Sequence, residues 1–313
     1  MNGLELSRLY YEQCARPMLE EQFPELLPFL ACGLTGPGSE CYGYDDERSR
    51  DHDFEPGFCL FLPEEAVVDR RCEFLLERAY AKLPRQFLGF ERPAMQPVGG
   101  ARRGVMRTED YFRKTVGSPN GVLSTAQWLR LPEFRLAEAV NGEIFSDPWG
   151  EVTQIRAALS RYPEDVFLKK LAGQLLLMAQ SGPYNYPRCL AHGETGAAQL
   201  AAVEFVKSAT AAVFLLNRRY QPYYKWAFRA LRALPLLSAL APDFERLLST
   251  PNDARTGRKK LAVIEGVGAA VIEELRAQSL SAVPGDDLER HAYAVNDRIR
   301  DGELRNLHVL AAV

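Results

Sequence analysis

The stretch Gly38-Ser39, separated by eleven residues from Asp51-His52-Asp53 and followed by the apolar run Phe58-Cys59-Leu60-Phe61-Leu62, decides the fold of the N-terminal part of this chain. Two carboxylates one residue apart on an extended segment point to the same side, so their oxygens can converge on a hard cation. A glycine-serine turn upstream offers the backbone N–H groups and the hydroxyl that can hold a phosphate chain. Together, these residues indicate metal-assisted phosphoryl chemistry.

The segments on both sides of this stretch alternate between helical and extended patterns. Upstream, an amphipathic helix is predicted over 4–23 and a strand or short helix over 26–34, which runs into the turn before Gly38. Downstream, the pattern predicts a strand within 51–62, a helix over 63–82 and a short strand at 104–107. We therefore predict a mixed α/β domain at residues 1–122.

Beyond residue 122 the pattern becomes helical, which predicts a helical domain over 123–313. The predicted helices span 125–140, 148–161, 163–181, 194–219, 223–249, 259–278 and 285–300. Residues 198–216 are apolar nearly all round, which is typical of a helix at the centre of a bundle. The expected fold class is α/β plus α: a mixed sheet with helices, followed by a helical bundle.

Composition and charge limit the choice of partners and compartment. A net charge of -3 provides no general attraction to nucleic acid and disfavours a processive polymerase. The six cysteines form no CxxC pair and are expected to be reduced. The N-terminus has no signal peptide pattern, and no other segment approaches the roughly 18 apolar residues of a membrane span, so a cytoplasmic protein is expected.

The spacing of Gly38-Ser39 and Asp51-x-Asp53 resembles the signature of the DNA polymerase β-like nucleotidyltransferase superfamily. The string over 38–58, together with Asn217-Arg-Arg-Tyr-Gln-Pro-Tyr-Tyr-Lys-Trp226, resembles the uncharacterised bacterial DUF4037 proteins over roughly residues 5–235. This resemblance implies that Asp51 and Asp53 are Mg²⁺ ligands and catalytic residues. It also implies that Gly38 and Ser39 hold a nucleoside triphosphate. His52 is expected to face the opposite side of the strand.

The superfamily commonly adds a third carboxylate from a later strand, and several acids are candidates for it. Glu109, after the predicted strand 104–107, is the first choice as a catalytic residue, and Asp110 is next. Glu143 and Asp147, in the turn NGEIFSDPWG, are alternatives that would reach over from the second domain. The acids Asp45, Asp46 and Glu47 are interpreted as a solvated turn.

The segment 218–226 concentrates cations and aromatic rings between two predicted helices, which suits an anionic ligand that also has a flat ring. Lys225 is the preferred nucleotide-binding residue here, contacting the triphosphate from the helical domain. An ordinary helix–helix corner filled by aromatic side chains explains the segment equally well.

The function expected from these residues and this resemblance is Mg²⁺-dependent nucleotidyl transfer. An NMP group would move from an NTP, with ATP as the expected donor, to a hydroxyl of a small molecule, a tRNA or a protein. The alternative is a catalytically silent module that binds a nucleotide or a partner through the same cleft. Three acids converging on one point would favour the enzyme.

Overall fold

The computed structural model describes residues 1–47, 54–92, 102–253 and 255–313. The chain forms two compact units: residues 1–123 with 134–160, and residues 124–133 with 161–313. Asp51, His52 and Asp53 lie outside the described residues, so the roles predicted for them stay predictions.

The first unit is built around a four-stranded mixed sheet in the order β5-β2-β1-β6. The strands of this sheet are β1 (Ala31–Leu34), β2 (Cys59–Leu62), β5 (Gly104–Arg107) and β6 (Glu143–Ser146). β1 pairs antiparallel with β2 and with β6, whereas β2 pairs parallel with β5. A separate hairpin consists of β3 (Gln86–Phe87) and β4 (Phe90–Glu91). The strands predicted within 51–62 and at 104–107 are confirmed as β2 and β5.

The path of the chain differs from the single boundary predicted between residues 122 and 123. Residues 134–160 return to the first unit because β6 adds to the edge of the sheet beside β1. The segment was predicted as part of the second domain, with the turn NGEIFSDPWG between helices over 125–140 and 148–161. Its strand is four residues long and only half-buried, so it lacks the apolar run that identifies β1 and β2.

The helices of the first unit cover the sheet. They are α1 (Gly3–Tyr10), α2 (Arg16–Gln22), α3 (Arg70–Lys82), α4 (Thr108–Val116), α6 (Glu133–Val140, whose first residue belongs to the second unit) and α7 (Glu151–Leu159). A π-helical turn at Tyr11–Ala15 joins α1 to α2, so the helix predicted over 4–23 is confirmed as one helical segment. Tyr10, Phe58 and Leu76 are fully buried in the core that this segment, β2 and α3 share.

The helix predicted to begin at residue 63 begins instead at Arg70. Asp69 is its N-cap, with its carboxylate accepting a hydrogen bond from the Cys72 N–H at 2.7 Å. Glu64 and Glu65 imitate the acidic first turn of a helix, but they lie in a separate turn. The predicted start was wrong because it relied on acidic residues alone. A helix begins where a side chain accepts hydrogen bonds from its first free N–H groups, and Asp69 is the residue that does so here.

The second unit is helical, as predicted for the C-terminal region. It contains α5 (Thr125–Arg130), α8 (Glu164–Ala179), α9 (Tyr186–Ala191), α10 (Thr195–Leu216), α11 (Tyr224–Leu231), α12 (Ala241–Ser249), α13 (Gly257–Ala277), α14 (Leu288–Asp297) and α15 (Gly302–Asn306). Two predicted helices are each split. Pro132 follows the end of α5, and Leu237, with a φ of 59°, lies in the break between α11 and α12.

α10 is the helix predicted to lie at the centre of the bundle, and this prediction is confirmed. Every residue of its second half, Ser208–Leu216, is buried. Among the described residues, α10 alone has the length and apolar composition of a membrane span, and 67% of its most apolar window is buried within the protein. The core helix of a folded bundle has these same properties.

Candidate functional site

A turn after β1 carries the predicted phosphate-binding residues, and a side chain from after α6 fastens it. Asn141 accepts a hydrogen bond from the Gly36 N–H at 2.9 Å and donates one to the Gly36 carbonyl at 2.7 Å. The N–H of Gly142 donates to the Cys41 carbonyl at 2.8 Å. Thr35 donates its hydroxyl proton to the Glu138 carbonyl at 2.9 Å. The turn is therefore held from both ends before any ligand binds.

Gly38 and Ser39 lie at the centre of this turn, where Ser39–Tyr42 form one 3₁₀ turn. A Cβ atom at position 38 would overlap the carboxylate of Glu40, so glycine is required here for space. Its φ of -69° is one that any residue can adopt. The Ser39 hydroxyl is half-buried and makes no hydrogen bond within the described part of the chain. A hydroxyl that is free to donate suits the approach of a phosphate group.

The guanidinium of Arg103 ties this turn to the segment that follows Asp53. Arg103 Nη2 lies 3.0 Å from Glu40 Oε1, and both side chains are almost completely buried. Arg103 also donates to the Glu55 carbonyl and lies 3.7 Å from the Glu55 carboxylate. Burial lowers the pKa of Arg103, but the Glu40 and Glu55 carboxylates outweigh this effect and raise it. The buried cation therefore stays charged between two acids.

The sheet register explains why these segments meet. β1 and β2 are antiparallel, with Gly33 opposite Cys59, so the end of β1 and the start of β2 lie at the same edge. Cys59 is in turn opposite Gly104, the first residue of β5. The turn at 35–42, residues 54–58 and residues 102–104 therefore converge at one edge of the sheet. Asp51 and Asp53 precede the second of these segments directly.

Glu138 was not predicted from the sequence, yet its carboxylate lies beside the turn. The residue is 6% exposed on α6 and pairs with Arg135 at 3.2 Å. Burial raises the pKa of Glu138, while Arg135 and Arg102 act to lower it. Burial of the Tyr42 hydroxyl raises the pKa of Tyr42, and the negative charge of Glu138 raises it further. The sequence signal that could have identified Glu138 is an acid between two alanines, Ala137 and Ala139, within a predicted helix.

The predicted alternatives for a third carboxylate have other partners. Glu109 lies in the first turn of α4, half-exposed and 3.0 Å from Arg113, and Asp110 pairs with the same arginine at 2.7 Å. Glu143 pairs with Arg8. The catalytic role of Glu109 beside Asp51 and Asp53 stays a prediction, because these two aspartates lie outside the described residues.

Asp147 and Asp45 are helix-capping residues. Asp147 accepts hydrogen bonds from the N–H groups of Gly150 and Thr153 at the start of α7. Both Glu143 and Asp147 belong to the first unit, so the prediction that they reach over from the second domain was wrong. Asp45 was interpreted as part of a solvated turn, but its carboxylate accepts a hydrogen bond at 2.7 Å from the Gly3 N–H at the start of α1.

Lys225 lies on α11 in the second unit and is exposed. Its Nζ is 4.9 Å from the centroid of the Trp226 ring, and Tyr223 and Tyr224 form a ring pair at 4.4 Å just before it. The cluster of cations and aromatic rings predicted at 218–226 is therefore a real local cluster. The triphosphate contact of Lys225 stays a prediction.

The magnesium prediction rests on the chemistry of Asp51 and Asp53. Among the described ranges, no group of three His, Cys, Asp or Glu side chains gathers closely enough to hold a metal ion. Paired aspartates supply the hard oxygen donors that Mg²⁺ prefers. The donor type fits the ion, and the magnesium site stays a prediction because Asp51 and Asp53 lie outside the described part of the chain.

Comparison with known proteins identifies one matching family. Residues 128–227 match the family described as "Domain of unknown function (DUF4037)". No curated protein and no solved structure matches the chain. The predicted resemblance to DUF4037 proteins is confirmed over these residues, which include the string Asn217–Trp226. The Gly38-to-Asp53 pattern lies outside the match, so membership of the nucleotidyltransferase superfamily stays a prediction.

Proposed function

We propose that this protein is a Mg²⁺-dependent nucleotidyltransferase whose nucleotide site is the sheet edge of the first unit. The observation that carries the proposal is the buried Arg103, which joins Glu40, two residues after Gly38, to Glu55, two residues after Asp53. Arg103 thereby joins a residue of the Gly38-Ser39 turn to the segment that follows Asp53 in the sequence. The Ser39 hydroxyl, which makes no hydrogen bond within the described residues, supports the same proposal.

In this proposal each residue of the chain has a defined task. Backbone N–H groups near Gly38 and the hydroxyl of Ser39 donate hydrogen bonds to phosphate oxygens, while Arg103 keeps the turn in place. Asp51 and Asp53 would hold Mg²⁺, which supplies positive charge at the triphosphate when bound.

Glu138 is the described acid best suited to accept the proton of the acceptor hydroxyl. Its pKa is raised by burial, which brings it nearer to the working pH of a general base. The Glu138 carboxylate lies beside the turn and pairs with Arg135 and not with the N–H groups of a helix end. The sequence favoured Glu109 as the third carboxylate. Both acids pair with an arginine, but the Glu109 side chain is half-exposed, whereas that of Glu138 is almost completely buried.

The acceptor is proposed only by class, as a hydroxyl of a small molecule, a tRNA or a protein, because a fold supports many acceptors. Lys225 is proposed to contact the triphosphate. The chain's net charge of -3 argues against broad nucleic-acid affinity, which leaves a small molecule or a single defined macromolecule.

The test is calorimetric titration of ATP, and then of the other NTPs, into the protein with and without Mg²⁺. We expect Mg²⁺-dependent binding that Asp51→Asn/Asp53→Asn abolishes. The matched control is Asp286→Asn, an exposed acid in a turn of the second unit, which should bind as the wild type does. Absence of binding to every NTP would sink the proposal.

Pyrophosphate release separates an enzyme from a silent binding module. A protein that binds ATP and releases pyrophosphate in the presence of cell extract, but not after Asp51→Asn/Asp53→Asn, is an active transferase. Binding without release, with every class of acceptor supplied, would favour the silent module. Glu138→Gln should keep ATP binding and lose pyrophosphate release, because it removes a proton acceptor and leaves the turn intact.

A further inference from the structure

A cavity of about 230 Å³ lies within the second unit, where the start of α8 faces the segment that follows α10. All residues that line it fall within 128–227, the part of the chain that matches DUF4037. Aromatic side chains of Tyr162, Phe167 and Tyr220 line it together with charged groups. Three of the lining residues, Arg218, Arg219 and Tyr220, belong to the segment 218–226, whose cations and aromatic rings suit an anionic ligand with a flat ring.

The charged groups of the cavity are three arginines against one glutamate. Arg218 is already neutralised: its guanidinium makes two hydrogen bonds to Glu164, at 2.7 and 3.0 Å, and lies over the Phe167 ring. Arg161 and Arg219 make no side-chain hydrogen bond or ion pair within the described residues. Two uncompensated positive charges therefore face a cavity in a protein that is acidic as a whole.

The backbone at Arg218 is in an unusual conformation that brings the arginines to the cavity. Arg218 has a φ of 54° and follows the C-cap of α10, where its N–H bonds the Leu215 carbonyl and the Arg219 N–H bonds the Phe214 carbonyl. Glycine is the usual residue at such a helix end. An arginine there costs stability, and such costs are retained where the side chain is used.

The aromatic part of the cavity is neutral. Tyr162 and Tyr220 meet edge to face, with ring centroids 4.9 Å apart and an interplanar angle of 88°. Burial is the largest cause that raises the pKa of both tyrosines, so both hydroxyls stay protonated at physiological pH. A flat ring can pack against these side chains without meeting a tyrosinate charge.

We propose that this cavity binds a phosphate monoester that carries a single flat ring. A phosphate monoester has a charge of about -1.5 to -2 at neutral pH, which matches the two free guanidinium groups of Arg161 and Arg219. Guanidinium binds phosphate through paired N–H donors, and the ring lies against the aromatic side chains. The cavity is smaller than the roughly 300 Å³ at which drug-sized pockets begin, so a nucleoside triphosphate does not fit.

The experiment titrates phenyl phosphate into the full chain, with heat and Trp128 fluorescence as readouts, since Trp128 packs against Tyr162 at 5.6 Å. We expect a dissociation constant of about 1 mM or below. Inorganic phosphate, which lacks the ring, and cyclohexyl phosphate, whose ring is not flat, should each bind at least about tenfold more weakly. Benzyl alcohol, which lacks the anion, should not bind measurably.

Substitutions locate the binding. Arg161→Gln/Arg219→Gln should weaken phenyl phosphate binding at least about tenfold, and Arg161→Lys/Arg219→Lys should recover part of it. Arg258→Gln/Lys259→Gln removes two exposed cations on α13 and should change nothing. Asp51→Asn/Asp53→Asn should also leave phenyl phosphate binding intact, which separates this site from the proposed nucleotide site.

Three results would overturn the proposal. They are no phenyl phosphate binding by the wild type, equal binding of phenyl and inorganic phosphate, and unchanged affinity in a folded Arg161→Gln/Arg219→Gln variant. Should that double variant not fold, the single variants Arg161→Gln and Arg219→Gln decide in the same way. Both are exposed positions, where substitution rarely costs much stability.

Discussion

The two units bury cationic side chains in different environments. In the first unit, Arg103 lies between the carboxylates of Glu40 and Glu55, at the edge of the sheet. In the second unit, Lys169 is fully buried and donates to the amide oxygen of Asn296 and to the Arg305 and Leu307 carbonyls. One cation is neutralised by acids, and the other is solvated by neutral oxygens.

This difference separates two uses of a buried charge. Lys260 repeats the second kind, donating to Gln199, Asn252 and the Thr250 carbonyl, so that it joins α13 to α10 and to the segment just before α13. Within the described part of the chain, these two lysines connect helices and have no acidic partner that a ligand could replace. Arg103 instead joins two acidic side chains, Glu40 and Glu55, at the proposed nucleotide site.

The largest expected effect comes from breaking the ion pair of the first unit. Arg103→Met should cost about 3–5 kcal/mol of unfolding free energy, because it leaves the buried Glu40 carboxylate without a cation. Denaturant unfolding measures this loss. Arg113→Met, which removes an exposed pair with Glu109, should cost no more than about 1 kcal/mol. Equal losses in the two variants would contradict the role of Arg103.

A smaller loss is expected from the second unit. Lys169→Met should cost about 2–3 kcal/mol, since three oxygens lose their donor but no buried charge is left behind. Burial lowers the pKa of Lys169 because the charged ammonium group loses its hydration. Methionine avoids this desolvation cost, which offsets part of the lost hydrogen bonding. Lys207→Met, at an exposed position on α10, should change stability by less than about 0.5 kcal/mol. A loss larger than that of Arg103→Met would reverse the comparison.

A local effect is expected at Gly38. Gly38→Ala should cost about 1–3 kcal/mol because the added Cβ displaces the Glu40 carboxylate from Arg103. It should also weaken ATP binding. Gly266→Ala is the matched control, since nothing lies within 4 Å of its Cβ position in the exposed middle of α13. That change should raise stability by about 0.5–1 kcal/mol.

The smallest effect is a pH dependence at Glu138. Burial raises the pKa of Glu138 in the folded protein, so its stabilising contribution is complete below the unfolded pKa of about 4.3 and is lost as pH rises through the folded value. Glu138→Gln lacks this loss. Denaturant unfolding of both proteins from about pH 4 to about pH 7 should therefore show the variant gaining relative to the wild type. An equal pH dependence of the unfolding free energy in both proteins would contradict a raised pKa of Glu138.

Some elements could be predicted because their apolar pattern is strong. The helical segment at 4–23 and the central helix α10 have periodic or continuous apolar positions, and both were found close to the predicted bounds. β2 was found within its apolar run for the same reason. The start of α3 at Arg70 and the strand β6 were missed, because one depends on the Asp69 cap and the other on pairing with β1.

The candidate site was predicted in part. Gly38 and Ser39 were selected from local spacing. The structure places them in a turn after β1, where the Ser39 hydroxyl makes no hydrogen bond within the described residues, and their phosphate contacts stay a prediction. Asn141, Arg103 and Glu138 were not selected, although each contacts or neighbours the turn. All three are distant from it in sequence, so only the folded chain brings them there.

The sequence alone determined the apolar periodicity, and with it the mixed α/β first region, the helical C-terminal region and the central position of α10. Periodicity carries this information because burial acts on each side chain through its position on a helix or strand. The tertiary structure alone decided which polar groups meet: Arg103 with Glu40 and Glu55, and Arg161 with Arg219 beside one cavity. Contacts between residues far apart in sequence depend on sheet register and helix packing, which no local pattern specifies.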